Sequence, residues 1–220
     1  MIPLRVRAYV PQQVCLPGEG IMLDSLLMAA VAFRDRLPPP SVTFAEYGEL
    51  PQLDIPLAKS QCERIYLCSQ ARPELHEHET RYKNRRFPVR EAARLTEMTR
   101  VDTGAGTQKS YRVPYSTGFV KGGVIEWYAI GDPKNVRVLL ALITHVGRHR
   151  GVGLGLVERW EVERMRDPWP GFPVVRDGVP LRALPCSWPG LRVEECAIAY
   201  RPLLPPYWDR EREVQCLVAA

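Results

Sequence analysis

The residues best suited to chemistry lie in ITHVGRHRGVGLGLVERWEVE (143–163), where Arg148, His149 and Arg150 stand among Gly147, Gly151, Gly153 and Gly155. Guanidinium groups match phosphate oxygens as forked donors, and glycines without Cβ atoms let an anion reach bare backbone N–H groups. The pattern suits contact with a polyanion. A dinucleotide fingerprint needs the order strand, glycines, helix, whereas this loop leaves a helix-like stretch and enters a strand-like one. No G-K-[ST] follows the glycines, so a phosphate-binding nucleotide loop is also excluded. A helix cap plus a bulged strand entry explains one or two of the glycines. It does not explain four beside three basic or ionisable side chains.

A second basic region precedes it. Arg81, Lys83, Arg85, Arg86 and Arg90 fall within ten residues that contain no acid, with Tyr82 and Phe87 interleaved. Farther on, Lys109, Arg112 and Lys121 alternate with Tyr111, Tyr115 and Phe119. Cations neutralise phosphates while aromatic faces stack on unpaired bases, so the combination points to nucleic acid. The net charge of +5 matters less than this clustering.

Other chemistries have thin support. His76 and His78 lie two apart among Glu77 and Glu79, a weak metal pattern without a further ligand pair. His145 and His149 are four apart, but Gly147 is expected to end a helix between them. Six cysteines (Cys15, Cys62, Cys68, Cys186, Cys196, Cys216) form no C-x-x-C pair and are expected to be buried thiols. No metal or cofactor is expected. With no apolar run long enough to span a bilayer and no signal-like N-terminus, the chain reads as soluble and cytoplasmic.

The elements that must position these residues follow from periodicity. Residues 2–10 alternate, with Leu4, Val6 and Ala8 on one side and Arg5, Arg7 and Tyr9 on the other, so the strand's outward face is basic and aromatic. Helical spacing of Leu23, Leu26, Leu27, Ala30 and Val31 predicts a helix over 23–37, stopped by Pro38–Pro40. Strands are expected at 62–70 and 121–132, a helix at about 134–146, and a strand at 154–163. Together they spell an α+β, ferredoxin-like β-α-β-β-α-β unit over 1–165, with 72–118 inserted between its second and third strands. A Pro/Trp-rich, strand-containing extension, 166–220, is expected to pack on it.

This order, with Leu23-Asp24-Ser25-Leu26-Leu27 opening the first helix and the loop from His145 to Gly155, resembles the RAMP superfamily of CRISPR proteins. Ser25 stands where glycine is common in that pattern, and His149 replaces a usual lysine. The chain is most similar to the type IV effector subunits that cap the 5′ end of guide RNA. The resemblance covers about residues 1–165. It implies a non-catalytic subunit that clamps the guide RNA 5′ handle. Its implied partners are backbone and large-type CRISPR subunits, with a contact to target double-stranded DNA near its protospacer-adjacent motif.

The glycine loop would then support the RNA backbone through Arg148, His149, Arg150, Gly151, Gly153 and Gly155. The insertion would act as a thumb through Lys83, Arg85 and Arg86. Arg5, Arg7, Tyr82, Lys109, Tyr111 and Lys121 complete the expected RNA contacts. Two alternatives stand beside this. One is a metal-independent endoribonuclease that processes precursor guide RNA through His76 or His78. The other is a protein-interaction module docking through WPGFP and LPPYW.

Overall fold

A computed structural model describes residues 1–18, 20–36, 53–61, 65–85, 104, 109, 111–205, 207 and 209–220. The fold is α+β, built on antiparallel sheets with two described α-helices. Strand β1 (Ile2–Tyr9) buries Leu4, Val6 and Ala8 completely and leaves Arg5, Arg7 and Tyr9 half-buried, as its alternation predicts. After the two-residue strand β2 (Ile21–Met22), helix α1 (Leu23–Arg34) buries Leu23, Leu27, Ala30 and Val31.

The chain then forms β3 (Gln70–Ala71), β4 (Leu75–Arg85), β5 (Tyr111–Val120) and β6 (Val124–Gly131). Helix α2 (Pro133–Leu140) starts at an Asp132 cap, whose carboxylate accepts the Lys134 N–H at 2.9 Å, and β7 (Arg159–Arg164) follows. The central sheet has the order β6-β1-β7. Register places Val6 between Trp127 and Val162. Both helices cover this apolar face, where the Trp127 indole N–H donates to Ile21 O at 2.8 Å, so one core lies between helices and sheet.

Several expected elements differ in extent: α1 ends at Arg34 and β6 starts at Val124, and three others depart further. The second helix ends at Leu140 rather than near 146. Val146 N–H donates to Gly155 O at 2.8 Å, and His145 bridges Leu156. This long-range pairing draws β-branched residues Ile143, Thr144 and Val146 out of the helix. Gly147 therefore does not cap it. For the same reason the regular ladder of the last strand starts at Arg159, with Leu154 buried ahead of it.

Of the expected 62–70 strand, residues 62–64 lie outside the described residues, and 65–70 is regular only at its end. Ser69 N–H donates to Tyr128 O (2.7 Å) and Ile130 N–H to Leu67 O (2.9 Å), so this segment borders β6 on the side away from β1. The carbonyls of Tyr66 and Cys68 are instead taken by the Arg182 guanidinium, at 2.7 and 3.4 Å.

Arg182 belongs to the C-terminal region, which holds β8 (Val175–Arg176), β9 (Val179–Pro180), β10 (Leu184–Pro185), β11 (Cys196–Arg201) and β12 (Val214–Ala219). Strands β8 and β9 form a hairpin on Asp177-Gly178, both left-handed, as a tight primed turn requires. A second small sheet has the order β10-β12-β11. Arg182 and Asp24 are both buried; Arg182 Nη1 lies 3.4 Å from Asp24 Oδ2, to which the Tyr207 hydroxyl also donates at 2.6 Å. Burial pushes the Tyr207 phenol well above its ordinary value and the Cys68 thiol beside it up as well. This pair fastens the C-terminal region to the start of α1. Removing one partner of such a pair strands the other charge, which costs about 3–5 kcal/mol.

Of the cysteines, Cys15, Cys68 and Cys216 are buried, Cys196 is half-buried and Cys186 is exposed; all five are free thiols, and Cys62 lies outside the described residues. Pro38–Pro40 also lie outside them. Among the described residues no helix is long and apolar enough to cross a membrane.

Candidate nucleic-acid interface

The insertion's described part is a two-stranded ribbon of β4 and β5. Its cross-strand pairs put Arg81 opposite Tyr115, Lys83 opposite Val113 and Arg85 opposite Tyr111 on one face. Tyr82 opposite Pro114 and Asn84 opposite Arg112 occupy the other. Tyr82, Lys83, Tyr111, Arg112 and Val113 are exposed. A bulge between His76 and Glu79, with Glu77 left-handed, re-aims the strand near its root, and His76 and His78 stand exposed there.

The glycine loop meets this ribbon across residues 13–15. Val14 exchanges backbone hydrogen bonds with Gly118 (2.9 and 3.1 Å), Arg148 N–H donates to Cys15 O (2.7 Å) and Gly155 N–H to Gln13 O (2.8 Å). A short stretch of main chain thus zips the loop to the ribbon. The glycines divide into two kinds. A Cβ at Gly147 would lie 2.5 Å from Cys15 O and one at Gly155 1.9 Å from Val146 O, and both residues are left-handed. These two serve the fold. Gly151 and Gly153 would meet nothing within 4 Å, and only Gly153 is left-handed. Nothing in the fold requires glycine at 151.

Between them, Arg150–Val152 form one 3-10 turn flanked by left-handed His149 and Gly153. The His149 ring stacks on Tyr115 with centroids 4.0 Å apart and planes at 29°. Arg148, Arg150, Gly151 and Gly153 are exposed, and Lys83, Arg112, Arg148 and Arg150 make no ion pair among the described residues. Arg81 is different. It bonds Gln13 Oε1 at 2.7 Å and pairs with Glu79 at 3.1 Å, which with Gln13 holds the Glu79 carboxyl below its ordinary range. Burial raises the Cys15 thiol, a shift that the Arg148 charge opposes.

The remaining expected contacts fall elsewhere. Lys121 sits at the ribbon's foot, exposed and 2.9 Å from Glu74. Lys109 is exposed, and Arg86, with Phe87 and Arg90, lies outside the described residues; for Arg85 only its place in the register is described. Arg5 and Arg7 are not free cations. Register on the polar sheet face brings Glu163 to Arg5, and Glu126 (2.9 Å) and Glu161 (3.2 Å) to Arg7. Its hydrogen bond to the Glu126 carboxylate, with help from that to Glu161, raises the Arg7 guanidinium further above its usual value. Arg159, unremarked in the sequence, lies 3.5 Å over the Tyr9 ring, and the Tyr9 hydroxyl donates to Glu161 at 2.9 Å.

Sequence reasoning singled out neither residues 13–15, which carry no periodic or charge signal, nor Tyr115 as a loop partner. Among the described residues no group of three His, Cys, Asp or Glu is placed to hold a metal ion.

An α+β chain with a basic ribbon joined to a glycine loop is the setting in which the family comparison falls. The family described as CRISPR type IV associated protein Csf3 matches residues 2–219. The chain belongs to this family. No curated protein matches it.

Proposed function

We propose that this protein is a non-catalytic, RNA-binding subunit of a type IV CRISPR ribonucleoprotein complex, with a ferredoxin-like RAMP core. In this reading the loop 147–155 and the ribbon clamp the 5′ handle of the guide RNA, against backbone and large-type subunits and near target double-stranded DNA. Membership of the type IV associated family supports the setting. The order β7-β1-β6, continued by the 66–70 segment beyond β6, is the strand order expected of a split β-α-β-β-α-β unit with both helices on one face.

The observation that carries the RNA reading is the junction itself. Exposed Arg148 and Arg150, without acidic partners among the described residues, lead into Gly151, whose open side would admit a phosphate. Lys83 and Tyr111, on the ribbon face that also carries Tyr115, continue that surface.

The test is co-purification with partner subunits and repeat-spacer RNA, followed by sequencing of the retained RNA. A uniform RNA that is lost on joint Arg148→Ala and Arg150→Ala substitution is expected. Complexes that assemble with the same RNA in the double variant would refute the assignment.

A further inference from the structure

Four residues of the loop 147–155 are left-handed, and three of them are glycines: Gly147, Gly153 and Gly155. The fourth is His149, with φ of 57°. A side chain at such a position strains the backbone, and the strain persists only when surroundings hold it. Here the holding contact is the Tyr115 ring, in a stacked pair from the opposite side of the junction. His149 is the neighbour of both arginines, and Tyr115 is the cross-strand partner of Arg81.

We propose that His149 is a positioning residue rather than an RNA contact: its stack on Tyr115 latches the glycine loop to the ribbon and fixes Arg148 and Arg150 relative to Lys83. The main-chain zipper through residues 13–15 joins the roots of the two elements. The latch joins them at His149, which stands between the two arginines and starts the turn 150–152. An imidazole already stacked on Tyr115 offers a base one face at most. That its loss changes RNA binding rests on the RNA-binding reading above; that it rigidifies the ribbon does not.

The test uses the full chain with two readouts. The first is hydrogen exchange of amides 111–117 without RNA. The second is anisotropy of a labelled mixed-sequence single-stranded RNA. His149→Asn keeps a residue that tolerates the left-handed conformation but removes the stack, Tyr115→Ala removes the other ring, and His149→Phe keeps an aromatic face. A stacked pair of this kind corresponds to an effect of about two- to tenfold.

The expected result is that exchange speeds up and RNA affinity falls by that factor in His149→Asn and in Tyr115→Ala. The two losses should not add in the double variant, and His149→Phe should stay close to the parent. Unchanged exchange in both single variants would overturn the latch whether or not RNA binds. Additive affinity losses, with His149→Phe as weak as His149→Asn, would overturn it in favour of direct RNA contact. If the parent chain binds no RNA, the function proposed above is what fails, and the exchange data alone decide the latch.

Discussion

Two surfaces of this protein carry arginines, and they use them in opposite ways. On the polar face of the central sheet, Arg5 and Arg7 are matched by Glu163, Glu126 and Glu161, while the Arg159 guanidinium lies over the Tyr9 ring. Three cations face three carboxylates there, so a phosphate would have to displace an existing ion pair. At the junction of glycine loop and ribbon, Arg148, Arg150 and Lys83 are exposed without acidic partners among the described residues. Counting basic residues does not separate the two surfaces. Whether a neighbouring strand brings a carboxylate does, and that depends on pairings up to 158 residues apart in sequence.

The largest expected effect comes from the glycines that hold the second surface in shape. Gly155→Ala would drive a Cβ into the Val146 carbonyl from a left-handed backbone and should lower unfolding free energy by about 3 kcal/mol in denaturant titrations. Gly151→Ala, with open space around it, should stay within about 0.5 kcal/mol. Equal losses at the two positions would erase the division between fold-serving and ligand-facing glycines.

Gly151→Trp should fold normally yet weaken RNA binding by about tenfold, because it fills the space left to a phosphate. Anisotropy on the folded variant checks this. On the sheet face the opposite pattern is expected. Arg7→Ala should cost about 1 kcal/mol of stability, the scale of a partly buried, hydrogen-bonded ion pair, and leave RNA affinity within about twofold.

The smallest effect is on acid sensitivity. The Tyr9 hydroxyl, then Arg7, hold the Glu161 carboxyl below its ordinary range. A depressed carboxyl stabilises the fold above its unfolded pKa of about 4.3, and that contribution is lost as pH falls through the lower folded value. Glu161→Gln should therefore flatten the decline of urea midpoints below about pH 4.3 relative to the parent. An unchanged decline would mean that the network on this face is too solvated to matter.

Much of this was legible in the residues. The alternation of β1, the apolar stripe of α1, and β6 between glycines all emerge as read, because each has one buried and one wet face. The ribbon strands were not legible. Leu75–Asn84 is mostly exposed on both faces, so no period-two contrast marks it. The end of α2 was missed because pairing of Val146 with Gly155 overrides local preference.

The candidate site was half legible. Composition revealed the loop and the basic insertion, but the stack of His149 on Tyr115 and the zipper through Gln13–Cys15 arise only on folding. The buried pair of Asp24 and Arg182 also spans 158 residues, and an arginine in a proline-rich tail gives no sign of burial.

The central claim, that unmatched charge at the junction rather than matched charge on the sheet holds RNA, is tested most directly by salt dependence. RNA affinity of the assembled complex would be measured across ionic strength for the parent, for joint Arg148→Ala and Arg150→Ala, and for joint Arg5→Ala and Arg7→Ala. The expected result is a slope of log affinity against log salt that is shallower by about 1.4 in the loop variant, as for two single-strand phosphate contacts, and unchanged in the sheet variant. A slope that falls equally in both, or only in the sheet variant, would contradict it.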